Sequence, residues 1–333
     1  MNHPFFFLNI LQIITQNLKI TNSVNISRKH QFNEVTILNR KILVALIILV
    51  SLVSVSSICA QDSGQNDTSI TTDFNESDIH YGFCVLPEDM DKVDFAELSN
   101  QGVTDLFLDY RVMDTHDKTQ VETWIQNAKN EGISVHIFAQ VFNDDEKWYN
   151  PTNQSFVDAK INELKEYAGL KDLAGIHLNY VRYEGADAAE NDNNTQAVSD
   201  FVVNATEELR KDNPNLILSS DVMPEYDQLK DKYCTDYSVI SKNFDFVVPL
   251  TYFENNNEND TYIEDAITSL RDHSEGAKVW ANLQTFDNST QKPIPLDKMN
   301  AKIQNISKVN PDGMFLFRYG LSEDIDFNNL NAK

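Results

Sequence analysis

Groups able to do acid–base and hydrogen-bonding chemistry recur at one kind of place in this 333-residue chain, just beyond short apolar runs. Asp109 and Arg111 follow one such run, Gln140 another, and Asn179, Arg182 and Glu184 a third. Asp221 comes next, then Tyr252 with Glu254, then Gln284, and finally Arg318 with Tyr319. Paired carboxylates can supply the acid and the base of glycoside hydrolysis, at roughly 5 to 5.5 Å for retention or 6.5 to 9.5 Å for inversion. Amides and guanidinium groups offer planar hydrogen-bond partners to sugar hydroxyls, and aromatic side chains offer flat apolar platforms. The candidate catalytic residues are Asp221, Glu254 and Glu184. The candidate substrate-binding residues are Asn179, Arg182, Tyr252, Asp109, Gln284 and Arg318. No histidine cluster has metal-ligand spacing, and neither a Gly-x-Ser-x-Gly elbow nor a phosphate-binding glycine loop is present, so neither a metal nor an organic cofactor is called for.

Some of these residues have a plainer reading. Asp109 can be the partner of Arg111, Arg182 and Arg318 can hold rim carboxylates, and His177 can be a core histidine. Trp148 and Tyr149 can form a sugar platform or anchor the loop between Asn143 and Gln154.

The elements that must position these groups alternate. Strand patterns fall at 80–86, 103–110, 133–142, 173–184, 216–223, 244–252, 278–286 and 313–319. Helical patterns lie between them, among them Lys118–Asn130 stopped by Gly132, one helix around Tyr226–Ser241, and a short last helix near Asp324–Leu330. Eight strands joined by helical crossovers predict a closed (β/α)8 TIM barrel over 79–333, whose strand C-termini carry the active site. Period-2 alternation puts His177 with Asn179 on one face of strand four and Leu178 with Tyr180 on the other, without deciding which points inward.

Upstream of the barrel, Asn39-Arg40-Lys41 precedes a serine-diluted apolar run from Ile42 to Val55 and a small-residue stretch ending at Ala60. Segment 38–60 reads as a signal peptide or membrane anchor, 1–37 as an N-terminal extension of uncertain start, and 61–78 as a flexible polar linker. The barrel protein is then expected outside the cytoplasm or at the cell surface. Residues 61–333 hold 22 basic against 50 acidic side chains, a formal charge of −28. That charge repels phosphate backbones and argues against nucleic acid partners, leaving the membrane only as an anchor through the N-terminal segment. Beyond residue 60, eight Asn-x-Ser/Thr triplets, at Asn66, Asn75, Asn153, Asn193, Asn204, Asn259, Asn288 and Asn305, would make a glycoprotein in a host that modifies them. Three cysteines are too few for a disulfide framework.

Gly175-Ile-His-Leu-Asn-Tyr-Val-Arg-Tyr183 resembles the strand-four run Gly-Ile-His-Leu-Asp-Tyr-Ile-Arg-Tyr/Phe of TIM-barrel glycosyl hydrolase families. Leu218-Ser-Ser-Asp-Val-Met223 is similar to their fifth strand and Phe244-Asp-Phe-Val-Val-Pro-Leu-Thr-Tyr252 to their sixth. The resemblance implies an exported glycoside hydrolase-like protein acting on a cell-envelope or extracellular polysaccharide, with carboxylates of strands four and five as the catalytic pair. This chain departs from the pattern at Asn179, where those families carry Asp, and an amide neither attacks as a carboxylate nor shuttles a proton. Three outcomes follow. Asp221 works with Glu184 or Glu254, or the substrate's own acetamido group attacks while Asn179 orients it, or the barrel keeps glycan binding, or a structural envelope role, without catalysis.

Overall fold

The computed structural model describes residues 79–185, 192–251, 260–322 and 324–330. Segments 1–37, 38–60 and 61–78, together with Tyr252 and Glu254, lie outside the described residues. Among the described residues no helix is long and apolar enough to cross a membrane.

Parallel strands β1 (His80–Val85), β2 (Asp105–Asp109), β3 (Ser134–Gln140), β4 (Gly175–Asn179), β5 (Ile217–Val222) and β6 (Phe246–Pro249) pair in sequence order. Strand β7 comes in two pieces, Lys278–Val279 beside β6 and Ala281–Gln284 beside β8 (Gly313–Phe317), and β8 pairs back onto β1. The two pieces are the two ends of the sheet order, and the Trp280 N–H between them still donates to the Val247 carbonyl at 3.0 Å. The ladder therefore runs the whole way round as an eight-stranded α/β barrel.

The crossovers are helical, with α1 at Phe95–Asn100, α2 at Lys118–Asn130, α3 at Gln154–Ala168 and α4 at Asp192–Asp212. Helix α2 shows how sequence sets an element. Asp117 and Gln120 form a reciprocal capping box, Val121, Trp124, Ile125 and Ala128 make the buried stripe, and Gly132 takes φ +78° just past the end. The single helix expected at 226–241 is instead α5 (Leu229–Tyr233) and α6 (Tyr237–Asn243), preceded by a 3-10 turn. Cys234 ends α5 in the left-handed region, and the Asp236 carboxylate accepts the Ser238 N–H, offering the backbone a new start in place of continuation. Helices α7 (Asp260–Asp272), α8 (Leu296–Ser307) and α9 (Phe327–Leu330) complete the shell.

Two strand runs are shorter than their apolar patterns because each gives way to a ribbon. After β3 the chain makes Asn143–Asp144 paired with Lys147–Trp148, turning through Asp145 and Glu146, both at positive φ, as a tight hairpin requires. After β7, Phe286–Asp287 pairs with Lys292–Pro293, and the Asp287 carboxylate ties the turn by accepting from Ser289 Oγ, Thr290 N and Thr290 Oγ1.

Strand register fixes the layers of the interior, since inward side chains come from alternate strands and climb the barrel together. Low in the barrel Trp280 stacks on Phe246 at 4.1 Å. Gly313 makes room for it, because a Cβ there would stand 2.4 Å from the indole. Above them lie Phe107, His177, Val248 and Phe315, where His177 stands 5.4 Å from Phe107 and 5.5 Å from Phe315. Next come Cys84, Phe138, Asp221 and Asn282, and then Asp109, Asn179, Leu250 and Phe317. Leu86, Gln140 and Gln284 complete the mouth. His177 and Asn179 thus face inward, which alternation alone left undecided.

Candidate active site

A cavity of about 400 Å³ opens at the C-terminal mouth of the barrel. Its wall carries five amides, Gln140, Asn179, Gln284, Asn288 and Gln291, and the aromatic rings of Phe138, Tyr180, Phe286 and Phe317. Asp109 with Arg111 supplies the charged part of the lining. The ribbon after β7 delivers Phe286, Asn288 and Gln291. They were not singled out from sequence, because their segment read as the end of one long strand and the loop after it.

Two of the amides are held with a fixed polarity. Asn179 Oδ1 accepts the Tyr180 N–H at 2.7 Å, and Tyr180 adopts φ +56° to deliver it. A backbone N–H can bond only to the oxygen, so Asn179 turns its NH2 away from its own chain, as a donor. Gln284 is reversed: its Nε2 donates to the Phe286 carbonyl at 2.8 Å and to Asn288 Oδ1, leaving Oε1 as the acceptor. The site therefore presents a donor on β4 and an acceptor on β7.

Asp109 is buried and fully engaged. Its carboxylate receives Arg111 N at 2.9 Å, Nε at 2.8 Å and Nη2 at 2.7 Å, a forked pair on a 3-10 turn that the aspartate itself caps. The nearby carboxylate raises the Arg111 guanidinium well above its ordinary value. Arg111→Ala is expected to lower stability by about 1–3 kcal/mol, discounted because the guanidinium is 42% exposed. Urea unfolding at pH 7 reads this. The loss should shrink in Arg111→Ala/Asp109→Asn, where no buried charge is left bare.

The other candidates divide between the layer below and the rim. Asp221 lies in the layer beneath the floor, next to Asn179 by the register that pairs Leu178 with Ser220. It is 3% exposed, and neither carboxylate oxygen has a hydrogen-bond partner among the described residues. His177 Nε2 stands 3.2 Å from Asp221 Oδ1, at ion-pair distance but without hydrogen-bond geometry. Cys84 shares that layer, and its thiol is pushed up first by burial and then by the charges of Asp109 and Asp221.

At the rim, Arg182 Nε donates to Glu184 at 2.7 Å while its guanidinium lies over Tyr180 and near Trp148, which also meets Tyr183 edge-on. Neither Arg182 nor Glu184 is among the residues lining the cavity. Arg318 donates to Glu88 at 2.8 Å and Asp89 at 3.0 Å, which ties the end of β8 to the 3-10 turn Pro87–Lys92 after β1. The structure thus gathers Asp109, Asn179 and Gln284 around one cavity and sets Asp221 beneath it, with Arg182, Glu184 and Arg318 in ion pairs outside the lining. Among the described residues no group of histidine, cysteine and carboxylate side chains could hold a metal ion.

No protein-family model and no curated protein matches the sequence. Among solved structures, the chain is similar to the glycoside hydrolase domain of PgaB (BpsB) from Bordetella bronchiseptica, with a TM-score of 0.57 at 9% identity over 77% of this chain and 96% of that one. A class V chitinase from Pseudomonas fluorescens gives 0.56 at 13% identity over 77% and 99%. The spore cortex-lytic enzyme SleL of Bacillus megaterium gives 0.56 at 13% over 75% and 73%. At these identities the likeness establishes the fold: an α/β barrel of the architecture found in these glycoside hydrolases.

Proposed function

We propose that the protein is an exported glycoside hydrolase-like barrel that takes a polysaccharide at its C-terminal mouth, with Asp221 as its acid–base group. The observation that carries this reading is the cavity wall, where among the described residues five amides and four aromatic rings surround a single, internally neutralised ion pair. Sugar hydroxyls and acetamido groups need neutral donors and acceptors at set positions, and pyranose faces need flat apolar contacts. The donor of Asn179 and the acceptor of Gln284 meet the first need, and Phe138, Tyr180, Phe286 and Phe317 meet the second. The neighbouring barrels named for chitin and spore cortex degradation support a glycan as the ligand class.

A second reading, glycan binding without hydrolysis, is favoured by Asp109, the one carboxylate on the cavity wall among the described residues, being wholly taken up by Arg111. One experiment separates the two. The full chain is incubated with a panel of envelope and extracellular polysaccharides, and both reducing-sugar release and retention by each polymer are measured. Hydrolysis predicts release that falls at least about tenfold in Asp221→Asn. Retention without release from any polymer selects the binding barrel, and neither retention nor release rejects both.

A further inference from the structure

Beneath the floor of the cavity three side chains stand in line across two strands. Ser219 and Asp221 are two residues apart on β5, so both point inward, and His177 reaches between them from β4. The His177 Nδ1 to Ser219 Oγ distance is 2.9 Å, and Nε2 to Asp221 Oδ1 is 3.2 Å. All three are buried, His177 and Ser219 completely. The imidazole packs against the rings of Phe138 at 5.3 Å, Phe107 at 5.4 Å and Phe315 at 5.5 Å.

We propose that Ser219, His177 and Asp221 form one proton-sharing relay under the site, in which Asp221 exchanges a proton with the bound glycan and His177 is the positioning residue behind it. The inference rests on the reading that Asp221 serves chemistry. A fully buried imidazole among phenyl rings has no bulk water to stabilise either a bare lone pair or a charge, so its two nitrogens depend on fixed partners. In the proposed relay Nδ1–H donates to Ser219 Oγ, 2.9 Å away. Nε2 is then the nitrogen turned to Asp221, 3.2 Å from Oδ1, an ion-pair distance that must align further for a proton to be shared.

Asp221 shares its layer with Phe138, which lines the cavity, and is the register neighbour of Asn179 in the floor. Both its oxygens are buried and free of hydrogen bonds to the described residues, and in the proposed relay one bridging water would link the carboxyl group to a ligand oxygen. In hydrolysis the proton passes from Asp221 to the glycosidic oxygen as the C1–O bond breaks. Water adds to C1, and its spare proton returns to Asp221, so the relay ends as it began.

The groups facing the pair are few. Cys84 approaches from β1, and Asp109 with its partner Arg111 from β2. β3 presents Phe138, β6 Val248 and β7 Asn282, and the charge of Arg318 at the end of β8 is matched by Glu88 and Asp89. None of these competes with Asp221 for Nε2.

The test uses the full chain labelled with 15N-histidine, the His177 ring signals being assigned by their loss in His177→Gln. The expected result is a protonated Nδ1, and an Nε2 resonance that moves in Asp221→Asn while the other histidine signals stay. Ser219→Ala, a small change that keeps the core filled, should release Nδ1 from its fixed state. A bare Nδ1, or an Nε2 signal indifferent to Asp221→Asn, overturns the relay. Sugar release is measured in parallel on a polymer the wild type cuts. There Ser219→Ala should lower kcat about tenfold at unchanged KM and alter the pH profile, whereas an effect on KM alone overturns the positioning role. The expected ring signals in a protein that releases no sugar would retain the Ser219–His177–Asp221 coupling and overturn its part in hydrolysis.

Discussion

Asp105→Ala is expected to destabilise the barrel by about 3–5 kcal/mol, the range for stripping one partner from a buried ionic cluster. In a domain of this size that lowers the melting temperature by about 10 °C. Asp105 sits inward at the N-terminal end of β2, 1% exposed, with His80 Nδ1 at 2.8 Å from one oxygen and His136 Nε2 at 2.9 Å from the other. Thr104 Oγ1 adds a third bond at 2.6 Å. Burial, the largest influence, would raise the carboxyl. The hydrogen bonds from His136 and His80, with their charges, together outweigh it and hold the group well below the ordinary carboxylate range. The sign follows from linkage: a depressed folded value contributes stability that is present above the unfolded value of about 3.9 and is lost as pH falls through the lower folded one. Wild-type stability should therefore drop as pH falls below about 4, and Asp105→Asn should flatten that part of the profile. Melting curves of the two proteins from pH 7 to pH 2 decide it, and an acid limb that survives Asp105→Asn would move its origin to another carboxylate.

Asn179→Asp is expected to raise reducing-sugar release by about 10²-fold or more, the low end of what a positioned acid–base group contributes. The substitution is isosteric, and an aspartate oxygen can keep the bond from the Tyr180 N–H that holds the side chain in place. The second oxygen then replaces the NH2 and stands on the cavity wall beside the strand that carries Asp221. The barrel would gain the second carboxylate that its strand-four run lacks. Release measured on the polymer that the wild type retains most strongly checks this, with thermal melting to show that the variant is folded. Unchanged release from a folded variant would mean that catalytic competence does not turn on this position.

The barrel and the rim were legible in the sequence wherever a side chain's place depends only on its own strand. Eight alternating runs were enough for the β/α order, and Asn179, Asp221 and Gln284 stand near strand ends because each follows its own apolar run. What depends on a neighbour was not legible. Whether His177 or Leu178 points inward is set by which face the helices cover, and the approach of Ser219 to His177 is set by the pairing of β5 with β4. Likewise nothing in the spacing of Arg182 and Glu184 distinguishes a glycan contact from the internal ion pair observed. The ribbon after β7 was hidden for another reason: Lys278–Phe286 reads as one unbroken strand, whereas the backbone leaves the barrel ladder after Gln284, and with the ribbon Asn288 and Gln291 arrive at the cavity.

The stacked layers below the cavity also decide how a polymer can use it. Phe107, His177, Val248 and Phe315, with Trp280 and Phe246 beneath them, fill the barrel axis with buried side chains. The site is a blind well. A chain cannot thread through it, so it either lies across the mouth or lowers one end inside. If the site cuts glycans as proposed, product would leave by the door through which substrate entered, and the next chain would wait until it had gone.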